Sequence, residues 1–475
     1  MYNFVSIKRV ATLIESLVVL FVIIAASPVS ARDLIDYFLP TPIHDKLETN
    51  VWGNPGVIPR DIHNGIEDPA CTKWMYWEGK IFKAPNNKYH LFNCRWPSTK
   101  GHWGIVAAGQ CIHGVSDNVL GPYIDIGPAY EWMGGKGQNV TGVRLLDGRY
   151  ALLVSGNTVP TVHIANDPNG PWVYQGQLIG YGGDNISMCE CPDGSFIIVG
   201  RSGRIATSTK ANGILGPYVT QDSSIWPTNL PDSKIWPATL HHDNNWEDPC
   251  IWRSGNRYHI VVNDWSTREA AHLISNDGFH DWYYAGIAWN PRTDFVHYTD
   301  GTVNHWWKIE QPNVHIENGH VICFTFAAID CEKEQITAGG NKKHSSKVIA
   351  VPFDGIGFDA PDTVRPTIDS AFCIPPSASV MVRFSEPVEK ASAETIANYS
   401  INNGIKVTGA AFITSDPRYL TLATSPLTSG VTYTLTVNNV RDRALKPNTI
   451  AANTHTTFTV KPVRPPRPIS PTRVR

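Results

Sequence analysis

HHDNNWEDPCIWRSGNRYHIVVND, residues 241–264, holds an acidic tripeptide, Glu247-Asp248-Pro249, that runs into an apolar segment. The polar triplet Ser254-Gly255-Asn256 follows, and then a second apolar segment. That order is a strand, a tight turn and a strand. Nearer the start of the chain, Glu67-Asp68-Pro69 leads through another apolar segment and the turn Asn86-Asn87-Lys88 to YHLF at 89–92. A pattern that recurs along a chain is a repeat, and repeats govern the fold.

Working outward from these two stretches, five units lie between about 66 and 356. The second unit contains Asn139 and the turn Asp147-Gly148. Asp184 and the turn Asp193-Gly194 mark the third, and Glu310-Gln311-Pro312 with Asn318-Gly319 the fifth. Each unit has about four short strands with turn residues at corresponding places. A single twisted four-stranded sheet cannot cover its own faces, whereas sheets packed radially cover one another. The expectation is an all-β chain: a five-bladed β-propeller over 32–358, with part of 32–60 completing the last blade.

After the fifth unit the texture changes. Residues 359–365 fall in the proline-bearing run DAPDTVRP and read as a linker. Beyond it aromatics thin out, and strand-like segments rich in Thr, Val and Ser follow at VMVRFS, YLTLAT and YTLTVNNV. Residues 366–460 are therefore expected to form a small Ig-like β-sandwich. The Pro- and Arg-rich end, 461–475, reads as a disordered tail.

Composition narrows the class. The chain has 475 residues, enough for two or three domains. Its net charge of −2 argues against nucleic acid as the main partner. Sixteen Trp and 17 Tyr, with 38 Gly and 35 Pro, suit short strands, turns and flat faces for sugar rings. Residues 1–31 read as an export signal: Lys8-Arg9, an apolar run from Leu17 to Ala26, then Val29-Ser30-Ala31 at the cleavage site. The competing reading is an uncleaved anchor. No later stretch is apolar enough to span a bilayer, so a secreted, periplasmic or cell-surface protein without stable membrane insertion is expected. Nine Cys, an odd number, leave at least one outside any intrachain pairing. Cys71, Cys189 and Cys250 each follow an acidic motif on an inner strand and read as buried thiols. Cys189-x-Cys191 alone is a weak metal signal, and His241-His242 reads as a solvated pair.

In a propeller the innermost strands start at the central face, where side chains from every blade converge. The positions expected there are Asp68, Asn139, Asp184, Glu247 with Asp248, and Glu310. Adjacent strand residues point to opposite faces, so one member of each acidic pair is expected to face the pocket. Arg95-Trp96, Asp264-Trp265 and Trp306-Trp307 flank inner strands and are candidates to line a sugar cleft, or to pack between blades.

These residues carry a resemblance. Asp68-Pro69 in the first unit, Asp184 in the third and the Glu-x-Pro of Glu247-Asp248-Pro249 in the fourth resemble, in order, the acids of glycoside hydrolase family 43. The segments HGVSDNVLGPY and STKANGILGPY look like that family's outer strand pair. FSEPVEKASAETIANYSI and LTSGVTYTLTVNNVRD resemble bacterial Ig-like domains of exported proteins. The first resemblance implies Asp68 as general base, Asp184 as the residue that tunes and orients the acid, and Glu247 as general acid. Glu310, Asp248, Asn139, Arg95, Trp96 and Trp265 are then candidate substrate contacts. The sequence departs from the family in three places: Asp184 precedes Asn rather than Pro, both outer acids have an acidic neighbour, and Glu310 stands where a His is more usual. Inversion would need roughly 6.5–9.5 Å between acid and base to hold a water.

The implied activity is hydrolysis of the glycosidic bonds of plant or algal polysaccharides or oligosaccharides by an inverting general acid/base mechanism, with no cofactor required. A structural cation in the central pore is compatible with the pattern, and the sequence identifies no metal ligands. A catalytically silent sugar-binding propeller and a polysaccharide lyase, which could recruit Arg95, His63 or Tyr181, are the alternatives. A structural or adhesive role rests on the Ig-like module alone.

Overall fold

The computed structural model describes residues 32–155, 159–227, 245–339, 343–374 and 378–460. The expected export signal, the C-terminal tail and His241-His242 lie outside the described residues. Strand is the dominant element, and no helix among the described residues is long and apolar enough to cross a membrane.

Five antiparallel sheets follow one another along the chain. The first holds β1 (Trp74–Lys83), β2 (Tyr89–Pro97), β3 (Gln110–Ser116) and β4 (Ile124–Pro128). The second holds β5 (Gln138–Arg144), β6 (Tyr150–Ser155), β7 (Thr161–Ala165) and β8 (Val173–Gln177). The third holds β9 (Ser187–Glu190), β10 (Phe196–Val199), β11 (Ile205–Ser208) and β12 (Val219–Thr220). The fourth holds β13 (Trp246–Ser254), β14 (Arg257–Asp264), β15 (Ala270–Ser275) and β16 (Tyr283–Trp289). The fifth has three strands, β17 (Lys308–Glu317), β18 (His320–Ile329) and β19 (Ser346–Pro352). The first strands neighbour one another in cyclic order, β1 to β5 to β9 to β13 to β17 and back to β1. The sheets are thus blades of a closed ring.

The lead-in segment closes that ring. Phe38 bridges Phe353, and the Leu39 amide donates to the Pro352 carbonyl (2.9 Å). Ile66 and Val348 exchange two backbone hydrogen bonds of 3.0 and 3.1 Å. Leu34, Phe38, Trp52 and Val57 pack into one apolar cluster with Trp289, Phe324 and Phe326 of the fourth and fifth blades. Segment 32–66 therefore backs the short fifth blade, burying an edge that would otherwise be open to pairing.

Between blades the core is aliphatic and aromatic. Cys71, Cys189 and Cys250 are buried, as expected. Lys80 of β1 donates to the Val314 carbonyl of β17 (2.8 Å), and the thiols of Cys189 and Cys250 stand close enough to act on its charge. The chain thus brings an amine of its own, its pKa lowered by burial, to where four inner strands approach one another.

The sandwich has two sheets. One is ordered β20 (Ile368–Ile374), β21 (Ser379–Phe384), β24 (Tyr419–Thr424), β23 (Val407–Phe412). The other is β22 (Tyr399–Ile401), β25 (Thr432–Val437), β26 (Thr454–Thr459). Val380, Val382, Leu420, Leu422, Leu435 and Val437 alternate inward from the two sheets into one core. Two arginines join the sandwich to the fourth blade. Arg418 lies over the Tyr284 ring (5.2 Å), and Arg443 lies over Tyr283 (4.0 Å).

Candidate active site

Each blade carries one residue with a left-handed backbone at the same place, within the inner strand or, for Asn185, just before it: Glu78, Asn139, Asn185, Asp248 and Gln311, with φ of 65°, 53°, 48°, 56° and 52°. In β1, β5, β13 and β17 the ladder register shifts at this point, which is a β-bulge. Asn tolerates this conformation, whereas Glu, Asp and Gln adopt it at a cost that neighbouring contacts must offset.

Those contacts form a ring. Asn139 Nδ2 donates to Asn185 Oδ1, and Asn185 Nδ2 donates to Asp248 Oδ1 (2.6 Å). Gln311 Nε2 donates to the same Asp248 oxygen (2.7 Å) and to Asn139 Oδ1 (3.1 Å), closing the circle. Glu78 completes the set from the first blade, accepting the amides of Asn139 and Val140 at 2.6 Å each. Burial pushes its carboxyl up to about 8.

A bulge turns two successive side chains toward the same side. Gln138 with Asn139, Glu247 with Asp248, and Glu310 with Gln311 all line a cleft of about 710 Å³ above the ring. This corrects the expectation that one member of each acidic pair faces the pocket. Alternation holds for a regular strand, and the strand is irregular where the acids sit.

Glu247 is the carboxyl best placed for chemistry, with its side chain 18% exposed. Its Oε1 accepts from Asn185 Nδ2 (3.1 Å) and pairs with Arg201 Nη1 (3.1 Å). Its pKa is raised, first by burial and next by Glu310, against Lys333 and Arg201; Asp184 adds a smaller upward push. Burial, Glu247 and Glu310 raise Asp248 well above the usual carboxylate range. Glu310 lies against two ammonium groups, Lys333 Nζ at 2.5 Å and Lys308 Nζ at 3.8 Å. In turn the acids hold Lys333 above the ordinary lysine value despite its burial.

Aromatic rings frame these charges. Trp265, 40% exposed, stands near Lys308, and Trp103, 54% exposed, stands near Lys333. Trp77 forms the wall from the first blade, and buried His102 packs edge-on against it (4.9 Å). Burial and the nearby Lys333 and Lys308 hold His102 well below the usual histidine range, so it is a neutral wall group.

The cleft-lining set thus gathers Asn139, Glu247, Asp248, Trp265 and Glu310. Asp184 sits beside it, close enough to act on Glu247 by charge. Three expected residues are used elsewhere. Asp68 caps a turn: Oδ2 accepts the amides of Thr72 (3.0 Å), Lys73 (2.7 Å) and Trp74 (3.1 Å), and Oδ1 accepts that of Ala70 (3.1 Å). Its neighbour Glu67 is enclosed in ion pairs with Arg60 (3.0 Å) and Lys347 (2.7 Å). Arg95 pairs with Asp125 and lies over Trp74 (4.3 Å). Trp96 is 0% exposed and donates to the Gly101 carbonyl (2.8 Å), so it packs between elements. The first blade's contribution at the ring level is Trp77-Glu78, further along the chain than the Glu-Asp-Pro that mimics the fourth blade's motif.

Sequence reasoning missed Trp77, Glu78, His102, Trp103, Arg201, Lys308, Gln311 and Lys333. Gly79 was the available signal for Glu78. A Cβ there would meet the Val348 and Leu91 side chains at 2.9 and 3.0 Å, and a glycine inside a strand marks a bulge or a close approach. Trp103, Arg201 and Lys333 lie in connections, where no period announces a role.

Residues 362–460 match the family model described as bacterial Ig-like domain. The sandwich is similar to bacterial Ig-like domains. Among solved structures the chain is similar to an endo-1,4-beta-xylanase from Bacteroides thetaiotaomicron, with 14% identity over 58% of this chain and 90% of that one and a TM-score of 0.39. It is similar to an exo-beta-1,3-galactanase from Phanerochaete chrysosporium, with 11% identity over 83% and 80% of the two chains and a TM-score of 0.40. The N-terminal part of the bacterial S-layer protein SbsC shares 25% identity over 20% of this chain and 24% of that one, with a TM-score of 0.19. No curated protein matches the chain.

Proposed function

We propose that the cleft binds a polysaccharide or oligosaccharide, of plant or algal origin, and hydrolyses its glycosidic bonds, with Glu247 as the proton donor. One observation carries this reading. A half-buried carboxyl, raised by burial and by a second carboxyl, opens into a cleft flanked by exposed tryptophans. A general acid needs a raised pKa so that it holds a proton for the leaving oxygen near neutral pH. Glu310, 2% exposed between two lysines, is the second carboxyl: its charge acts on Glu247 and helps that residue keep its proton. Trp103 and Trp265 offer flat faces to sugar rings on either side. Export from the cell, with the Ig-like domain as an accessory module, fits a polymeric substrate too large to enter.

A second reading is a cleft that binds sugar without cleaving it. It is favoured by the first blade, which presents Trp77 to the cleft while Asp68 and Glu78 spend their oxygens on backbone amides. A panel of aryl-glycosides and polysaccharides, assayed for products with wild type and Glu247→Gln, separates the two. Hydrolysis that Glu247→Gln abolishes supports the enzyme; glycan binding without any product supports the silent cleft.

A further inference from the structure

The Ig-like domain holds a charged cluster that the cleft does not use. Asp362 comes from the linker, Glu386 follows β21, and Asp442 follows β25. One carboxylate oxygen from each lies within 4.8 Å of the others. Like charges so close are costly unless protonated or paired with a cation.

The surroundings do not supply a full counter-charge. Asp442 Oδ1 accepts the amides of Ala444 (3.0 Å) and Asn448 (2.9 Å), and Oδ2 accepts Asn448 Nδ2 (2.8 Å). Asp362 Oδ1 accepts the Val364 amide (2.9 Å). Glu386 is 3% exposed; its carboxyl meets that of Asp362 in a side-chain hydrogen bond, and its Oε1 has no donor outside the cluster. A buried carboxyl oxygen with only other carboxyls around it and no donor from outside them is unusual in a folded protein. Arg257, from the fourth blade, is the nearby cation that acts on Asp362, but its Nη2 is spent on the Arg443 carbonyl (2.8 Å).

We propose that Asp362, Glu386 and Asp442 form a binding site for a calcium-type divalent cation at the root of the Ig-like domain. The donors are all oxygen, which selects a hard cation over zinc or copper. The backbone and Asn448 bonds hold Asp442 in place, and Asp362 is exposed, leaving that side open for water ligands. Since Asp362 belongs to the linker and the other two to the sandwich, a bound cation would clamp the linker to the domain.

The test is calorimetric titration of calcium chloride into chelator-treated full-length protein, with thermal unfolding measured in parallel. The expected result is one calcium per chain and an unfolding temperature that rises with calcium. Glu386→Gln should weaken binding at least about tenfold while unfolding, without calcium, no earlier than wild type. Asp362→Asn, at an exposed position, should weaken it too and covers the case in which the Glu386 variant does not fold. No binding up to about 10 mM, well beyond the range of weak extracellular sites, would overturn the proposal and leave an acid pair sharing a proton. Binding that both variants leave unchanged would place the cation elsewhere and overturn it equally.

Discussion

Glu247 and Asp68 show how one dipeptide chemistry serves two ends. Both precede or contain an acid–proline step, yet Glu247 opens into the cleft and Asp68 caps a turn. Glu247→Gln should lower kcat by about 10²–10⁴-fold, the usual contribution of a positioned proton donor. Its pKa is raised, so the acid is protonated at low pH and activity is lost as pH rises through that value. Glu310→Gln removes the largest charge pushing it up, so in a pH–rate profile the high-pH limb should move to lower pH. Asp68→Ala should cost about 0.5–2 kcal/mol of stability, read from urea unfolding, as the loss of a capping side chain does. The rate per folded molecule should stay close to wild type, a result that a general base at Asp68 would not give.

At the scale of the element, the bulge does the positioning. Repeat order and turn residues were legible in the sequence, and four of the five expected positions fall at or beside the left-handed residue of the blade: Asn139, Asp184, Glu247 with Asp248, and Glu310. The first was not, because Glu67-Asp68-Pro69 copies the motif of the fourth blade while Glu67 serves a buried pair with Arg60 and Lys347. A register shift leaves no period in the sequence, so the paired inward acids could not be foreseen. Arg95 and Trp96 were legible as flanking an inner strand, but which face they took depended on Asp125 and Gly101, partners distant or hidden in loops. Gln311→Val tests the bulge itself. A β-branched residue at φ 52° should cost about 1–3 kcal/mol in denaturant unfolding, beyond the loss of two ring hydrogen bonds.

At the scale of the molecule, the ring closes on segment 32–66 and the Ig-like domain docks on the fourth blade. Arg418 holds that junction, with Asp416 at 2.9 Å, Asp33 at 3.9 Å and the Tyr284 ring beneath it. Arg418→Ala should cost about 1.5–3 kcal/mol, the worth of hydrogen bonds to a charged group, and should separate a single calorimetric transition into two. The most direct measurement for the whole account is product release from the glycoside and polysaccharide panel by wild type and Glu247→Gln, side by side. The account predicts saturated sugar products from the wild type and almost none from the variant, with glycan binding retained in both. Equal hydrolysis by the two proteins, or unsaturated ultraviolet-absorbing products, would contradict it.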